Sequence, residues 1–389
     1  MIIKDIQLYT ILNSIGKPAI ETQITSIEGT YALASSPSAL LSGKRESQIT
    51  KKIDEKTINS LINHLTYREL SQQQLDKILK QYLYTLGSDV CLSISLAFAR
   101  LCAINNHCSL VEYIADEMSY TTKYKSPKPM VTLFSGGVHN QNEKTIQNIM
   151  IYAEADSFYE SSKITSSVYS FIETYTSAHN MLTGYGQSSG MITKNLTTQQ
   201  KFELISNAIQ KNEYNAKLSI AVDIAAEHLW DNNQNMYCLE NTYLTGEELF
   251  LLLQNYVDNF PVLFIEDPFD SDNEKLWSEF LKNNTNICIA GDDLFATQCK
   301  FLNNKLANGV IIKMNQAGTL SDTLQTVIKA KSLGMILCVS HRSVETEDTF
   351  MCDLAVAIDS DFVKIGGPRR GDRITKYNRI FRLERDRNK

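Results

Sequence analysis

The chain has 389 residues, 43% of them hydrophobic, and its 38 lysines and arginines against 44 aspartates and glutamates leave a net charge of −6. That length and apolar content can bury a large core in two or three domains, or in one barrel with an appendage. The mild acidity gives no global electrostatic reason to bind nucleic acid or an anionic membrane, although a local basic site could still take a small anion.

Residues 1–34 alternate apolar and polar positions, broken at Gly16, Lys17 and Pro18, which predicts a β-hairpin or short meander. The polar loop "SSPSALLSGKRESQ" follows, and from Lys51 to Cys108 the period becomes helical in "INSLINHLTYREL", "LDKILKQYLYTL" and "SDVCLSISLAFARLCAI". The opening "MIIKDIQLYT" has no apolar h-region, and no run is read as approaching the ~20 apolar residues of a membrane span. Eight cysteines without C-x-x-C spacing, mostly in apolar runs such as "MILCVS", predict buried thiols in a reducing cytoplasm.

After "KYKSPKPM", near residue 125, short β-rich runs alternate with longer helical stretches: "LSIAVDIA", "VLFIED", "NICIAGDD", "GVIIKM", "MILCVS" and "DFVKIG". Strand and helix in turn predict parallel βα units. Asp223, Glu266, Asp292, Lys313, His341 and Lys364 stand at the ends of successive runs. Polar groups at many strand ends converge in a closed barrel and spread along an edge in an open sheet, so a barrel is expected. Asp223, Glu266 and Asp292 together form an all-oxygen set suited to Mg2+.

The segments "FIEDPFD", "AGDDLFATQ", "IIKMNQAGTLSDT", "VSHRSVETEDTFMCDLAVA" and "VKIGGPRRGDRITKYN" closely resemble those of enolase, the 2-phosphoglycerate dehydratase, and the likeness runs forward through "KPMVTLFSGGVHN" to "ILNSIGKPAIET". The resemblance implies an α/β chain with an N-terminal β3α capping domain (1–124) and a C-terminal modified (βα)8 TIM-type barrel (125–389) whose start departs from the βα repeat. It implies that Asp223, Glu266 and Asp292 bind Mg2+, that Lys313 removes the α-proton, and that Lys364 stabilises the charged carboxylate. Arg342 and Ser343 match the phosphate-binding pair, and His341, His139 and Gln147 match other pocket residues. A phosphorylated carboxylate as substrate, a homodimer and a cytoplasmic location are likewise implied.

Proton abstraction beside a carboxylate builds a dianion that only dense positive charge can stabilise. A lysine of reference pKa about 10.4 serves as base when neighbouring cations lower it, a part Lys364 and the metal are expected to play for Lys313. Two unpaired lysines beside three carboxylates meet no evident structural need.

The stretch "TGYGQSSGM", with Gly184, Gly186 and Gly190, looks by composition like a phosphate cradle. Aligned without a gap from "KFELISNAI", it falls instead on the family's "GDEGGFAP" loop. Ser188 then replaces the glutamate that assists departure of hydroxide, and Gln187 replaces its neighbouring aspartate. "IQNIMIY" puts Asn148 in place of a second glutamate, and "SSPSALLSGKRE" puts Leu41 in place of a serine that contacts a second metal. Neither serine nor asparagine supplies a proton at neutral pH, so acid assistance worth roughly 10²- to 10⁴-fold is expected to be missing. Three readings stay open: a divergent lyase that still enolises a phosphorylated or phosphonylated carboxylate, a non-catalytic protein binding metal or metabolite, and a weak true enolase with a replacement acid.

Overall fold

A computed structural model describes residues 1–37, 43–47, 54–137, 144–211 and 218–387. Leu41 and His139 lie outside these residues. The chain opens with the expected antiparallel meander of β1 (Ile3–Leu12), β2 (Pro18–Ser26) and β3 (Tyr31–Ser35). Helices α1 (Glu55–Leu65), α2 (Gln72–Lys80), α3 (Leu83–Asn105) and α4 (Leu110–Glu117) follow. Local chemistry starts them: Ser71 with Gln74 and Ser109 with Glu112 form reciprocal capping boxes at α2 and α4.

Helix α3 corrects one expectation. It is long and apolar enough to cross a membrane, but 83% of its most apolar window is buried inside the protein. It lies against the sheet, where Ser93 and Thr22 share a buried 2.7 Å hydrogen bond. An all-round apolar helix is what the centre of a large core requires.

The remaining elements are β4 (Lys128–Ser135), β5 (Asn148–Ala153), α5 (Phe158–Ala178), β6 (Leu182–Tyr185), β7 (Met191–Thr193), α6 (Thr198–Lys211), β8 (Leu218–Asp223) and α7 (Ala226–Leu229). A small sheet of β9 (Trp230–Asp231), β10 (Met236–Leu239) and β11 (Thr242–Leu244) precedes α8 (Gly246–Asn259). Then come β12 (Val262–Glu266), α9 (Glu274–Asn283), β13 (Cys288–Gly291), β14 (Gly309–Ile312), α10 (Met314–Ala317), α11 (Leu320–Ser332), β15 (Ile336–Ser340), α12 (Phe350–Ala357), β16 (Phe362–Lys364) and α13 (Gly371–Arg387).

Among the described residues eight strands close in the order β16-β15-β14-β13-β12-β8-β5-β4, with β16 pairing back to β4. Strict βα alternation fails at the start of this barrel: β5 runs antiparallel to both β4 and β8. The other barrel pairs are parallel.

Period-2 geometry then positions the site. Met150, Ala221, Phe264, Ala290, Ile311 and Phe362 pack together in the barrel interior. Side chains two residues apart share a face. One step beyond that layer toward the strand ends stand Asp223, Glu266, Asp292, Lys313 and Lys364 on the parallel strands. Because β5 is reversed, its first residue, Asn148, reaches the same rim and pairs in register with Asp223, which pairs with Glu266.

The cap and barrel are joined by buried polar contacts. Arg100 of α3 forms a two-pronged ion pair with Asp348 at 2.7 and 2.8 Å, and Asp348 also accepts the Ser35 N–H of β3. The cysteines are free thiols, buried except for the half-buried Cys108 and the exposed Cys299.

Candidate active site

A solvent-open cleft of about 650 Å³ sits over the C-terminal rim of the barrel. Gln147, Asn148, Ser188, Asp223, Asp292, Lys313, His341, Arg342, Ser343 and Lys364 all line it, and Glu266 joins them through Lys364, so eleven expected residues from separate parts of the chain meet in one place. The structure also brings Glu46, Asp267, Asp293 and His228 to the same wall. Sequence reasoning missed these four, although Asp267 and Asp293 follow expected ligands directly in "IEDP" and "GDDL".

The two lysines are not unpaired. Lys364 Nζ donates to Asp223 Oδ2 at 2.7 Å and to Glu266 Oε2 at 2.8 Å, and Lys313 Nζ pairs with Asp292. Three ion pairs between two cations and three carboxylates explain how so much charge tolerates burial. Burial would raise Asp223, but Lys364, Lys313 and the Asn148 amide hold it below the usual carboxylate value. Glu266 behaves oppositely, pushed up to about 7 by burial and by Asp223 against the pull of the lysines.

Lys313 departs from expectation. Burial pulls its pKa down, but Asp292 and Glu266 more than reverse this, and the net direction is upward despite Arg342 and Lys364 nearby. Neighbouring cations therefore do not by themselves free this amine, because its closest neighbour is an anion. Its backbone N–H is held by Thr297 Oγ1 at 2.9 Å, and Thr297 in turn donates to Gln316 at 2.7 Å.

Oxygen donors alone face the two lysines, the chemistry that suits Mg2+. Asp223 Oδ1 and Glu266 Oε1 accept no hydrogen bond from a described residue, whereas Asp223 Oδ2 takes donors from Lys364, Gln147 and Asn148. A second acidic group, Asp267, Asp292 and Asp293, is compact enough for a metal ion. Asp267 is committed elsewhere: its two carboxylate oxygens accept the backbone N–H groups of Asp292 and Asp293 at 2.9 Å each. It works as a clamp on the β13 turn.

On the opposite wall, Arg373 of α13 is fully buried and donates to the carbonyls of Arg342, Ser343 and Gln187 at 3.1, 2.9 and 3.0 Å. It also contacts His341 Nδ1. One guanidinium thereby fixes the end of β15 and the loop after β6 together. Burial, then Arg373, Lys364 and Lys313, keep His341 well below its ordinary pKa, so it faces the cleft as a neutral imidazole.

Of the glycines of "TGYGQSSGM", Gly190 serves packing. A Cβ on Gly190 would meet Ser135 Oγ at 2.4 Å, and Gly366 and Gly367 leave room for the Ser188 and Ser189 carbonyls, with Gly367 N–H donating to Ser188 O at 2.7 Å. Ser188 is buried at the cleft wall. The loop thus supplies part of the cleft wall.

Residues 123–388, well over half of the chain, match the family described as "Enolase, C-terminal TIM barrel domain". The chain belongs to the enolase family. It is 31% identical over 412 aligned positions to the enolase of Helicobacter pylori strain Shi470, covering 99% of this chain and 96% of that one. Against the enolase of Metallosphaera sedula it is 28% identical, with 99% and 96% covered. The enolase of Ureaplasma parvum serovar 3 is 30% identical, with 97% and 94% covered.

Proposed function

We propose that the chain is a Mg2+-dependent lyase of the enolase family that removes the α-proton of a phosphorylated or phosphonylated carboxylate related to 2-phosphoglycerate, with loss of water weakened or altered. The observation that carries this reading is the seating of Lys313 and Lys364 on Asp223, Glu266 and Asp292, with Arg342 on the same cleft.

In this reading Asp223, Glu266 and Asp292 hold Mg2+. When bound, the ion supplies Lewis-acid charge to the substrate carboxylate. Lys313 Nζ, after losing to solvent the proton it holds in its pair with Asp292, would accept the proton from C2, and Lys364 would face the carboxylate oxygen on which negative charge collects. Arg342 and Ser343 take the phosphate, and neutral His341 donates one hydrogen bond. Gln147, Asn148 and Ser188 form a wall of amides and a hydroxyl where the leaving group would sit, with none of them an acid at neutral pH. His139 keeps the pocket part the resemblance gives it, and Leu41 stands where the resemblance expects a serine contacting a second metal.

The division after residue 124 belongs to this proposal, supported by α4 ending at Glu117 and β4 starting at Lys128. So does a cytoplasmic homodimer, which rests on the family resemblance.

The test is α-proton exchange of 2-phosphoglycerate in D2O with Mg2+, followed by proton NMR, in wild type and Lys313→Gln. Exchange abolished in the variant supports the reading. Absence of exchange in wild type with any phospho-carboxylate would favour a protein that binds metal or metabolite without turnover.

A further inference from the structure

Arg342, the residue assigned to the phosphate, is already clasped. Its Nη1 donates to Glu46 Oε1 at 3.0 Å and its Nη2 to Glu46 Oε2 at 2.8 Å, and both side chains are only 5% exposed. Glu46 comes from the cap, 296 residues away in sequence. Gln316 ties the same carboxylate to the metal wall, donating to Glu46 Oε1 at 3.1 Å and to Asp292 Oδ1 at 2.9 Å.

The segment carrying Glu46, residues 43–47, is stapled to the barrel along its length. Lys44 pairs with Glu227 at 2.7 Å, Arg45 donates to the Leu294 and Ser271 carbonyls at 2.6 and 3.2 Å, and Ser47 N–H donates to Gln316 O at 3.1 Å. Gly43 lies so close to Asp293 that a Cβ there would meet Oδ1 at 2.5 Å.

A guanidinium has five N–H donors, and an end-on carboxylate uses one on each Nη. The Nε–H and the N–H beside it form a second fork, and Arg342 Nε has no acceptor among the described residues. Glu46 therefore leaves open the edge an anion would use. Without it, the nearest charges for Arg342 are Asp292 and Asp293, and the side chain would turn toward them. That collapse would fill the anion site and take a carboxylate from the metal set.

We propose that Glu46 is the positioning residue of the anion site: its carboxylate fixes the Arg342 guanidinium with the free Nε edge on the cleft, so that docking of residues 43–47 and anion binding reinforce each other. The proposal rests on the reading of Arg342 as the phosphate-binding residue. By linkage, anything that holds Arg342 in place also holds the cap segment down.

The experiment compares wild type, Glu46→Gln, Arg45→Gln, Arg342→Gln and the Glu46→Gln/Arg342→Gln double variant. Calorimetry measures phosphoenolpyruvate binding at saturating Mg2+, and limited trypsin digestion with mass spectrometry reads cleavage after Lys44 and Arg45. Glu46→Gln keeps shape and loses charge, and it is expected to weaken phosphoenolpyruvate about tenfold or more, the size of a lost charge-assisted contact. Arg45→Gln, which loosens the segment without touching Arg342, is expected to cost about threefold or less. The double variant should bind no worse than Arg342→Gln alone, because the two act as one unit. Phosphoenolpyruvate should slow cleavage at Lys44 in wild type and fail to do so in Glu46→Gln.

Equal losses in Glu46→Gln and Arg45→Gln, or additive losses in the double variant, would overturn the positioning role and leave a plain structural staple. If wild type binds no phosphoenolpyruvate while Glu46→Gln and Arg342→Gln both open the segment to trypsin, the phosphate reading itself fails. The clasp then stands as a cap-to-barrel link alone, and the positioning role is overturned with it.

Discussion

Asn148 donates its side-chain N–H to Asp223 Oδ2 at 3.1 Å, across the antiparallel pair of β5 and β8 in which these two residues are direct register partners. A carboxylate at position 148 would set like charge against Asp223 at this distance. The amide does the reverse and helps hold Asp223 ionised. One residue thus links the two halves of the proposed site, favouring an ionised Asp223 while offering no acidic proton of its own.

Metal binding should depend on that ionised carboxylate. Asp223→Asn and Glu266→Gln are each expected to weaken Mg2+ binding by about tenfold or more, since each removes a charged oxygen donor from a site of three. Isothermal calorimetry on protein whose circular dichroism matches wild type measures this. Unchanged Mg2+ affinity in both variants would move the metal to Asp292 and Asp293 or remove it altogether.

Anion binding should depend on Arg342. Arg342→Ala is expected to lower affinity for phosphoenolpyruvate by roughly 10²-fold, as expected for truncating one partner of a buried charged contact. The same variant should also melt earlier, because Glu46, with a side chain only 5% exposed, is left without its counter-charge. A variant that melts early yet binds as wild type would take Arg342 out of the anion site.

Much of this site is legible in sequence because barrel strands repeat with period 2. Ala221 to Asp223, Phe264 to Glu266 and Ile311 to Lys313 each step from an apolar interior position to a polar rim position within one run. The reversal of β5 is not legible this way, since the apolar run "NIMIYA" carries no mark of its direction, and only the antiparallel pairing shows why its first residue, singled out by resemblance, reaches the rim. Ion pairing is also hidden: nothing local to "IIKM" announces that Lys313 sits on Asp292. Glu46 is the extreme case, a residue in a polar loop whose meaning comes from partners almost 300 positions on.

Stability should carry a pH signature at the joint between cap and barrel. Burial would raise Asp348, but Arg100 and the N–H groups of Ser35 and Phe350 hold it below its usual value. With the native pKa below an unfolded value of about 3.9, the pair contributes fully above about pH 4 and loses its contribution as pH falls through the native value. Asp348→Asn is therefore expected to cost about 3 kcal/mol near neutrality, in the range for breaking a buried pair. Urea unfolding at a series of pH values should show that difference shrinking below pH 4. A constant difference down to pH 2 would mean the carboxylate's charge is not what joins the two parts.

The two halves of the proposed reaction can be separated and then rejoined. In the proposed reaction Lys313, Lys364 and a cation on the carboxylates move the C2 proton, so 2-phosphoglycerate is expected to exchange that proton in D2O faster than it forms phosphoenolpyruvate. Dehydration further requires the C3–O bond to break with its electron pair leaving on hydroxide, which needs a proton from an acid to depart as water. Asn148 and Ser188 are both buried on the cleft, 2% exposed each. A glutamate placed at either position would have its pKa raised by desolvation, and at 148 by Asp223 as well, which is the condition for a carboxylic acid to remain protonated near neutral pH. The Asn148→Glu/Ser188→Glu double variant is thus expected to raise the ratio of dehydration to exchange by roughly 10²- to 10⁴-fold, the usual worth of general acid assistance. Proton NMR follows both rates in one sample. A ratio unchanged in the double variant would show that these two positions do not face the leaving group. Fast dehydration by the wild type would show instead that another acid serves, and His228, on the cleft wall with ring nitrogens that form no hydrogen bond among the described residues, is the side chain to replace next.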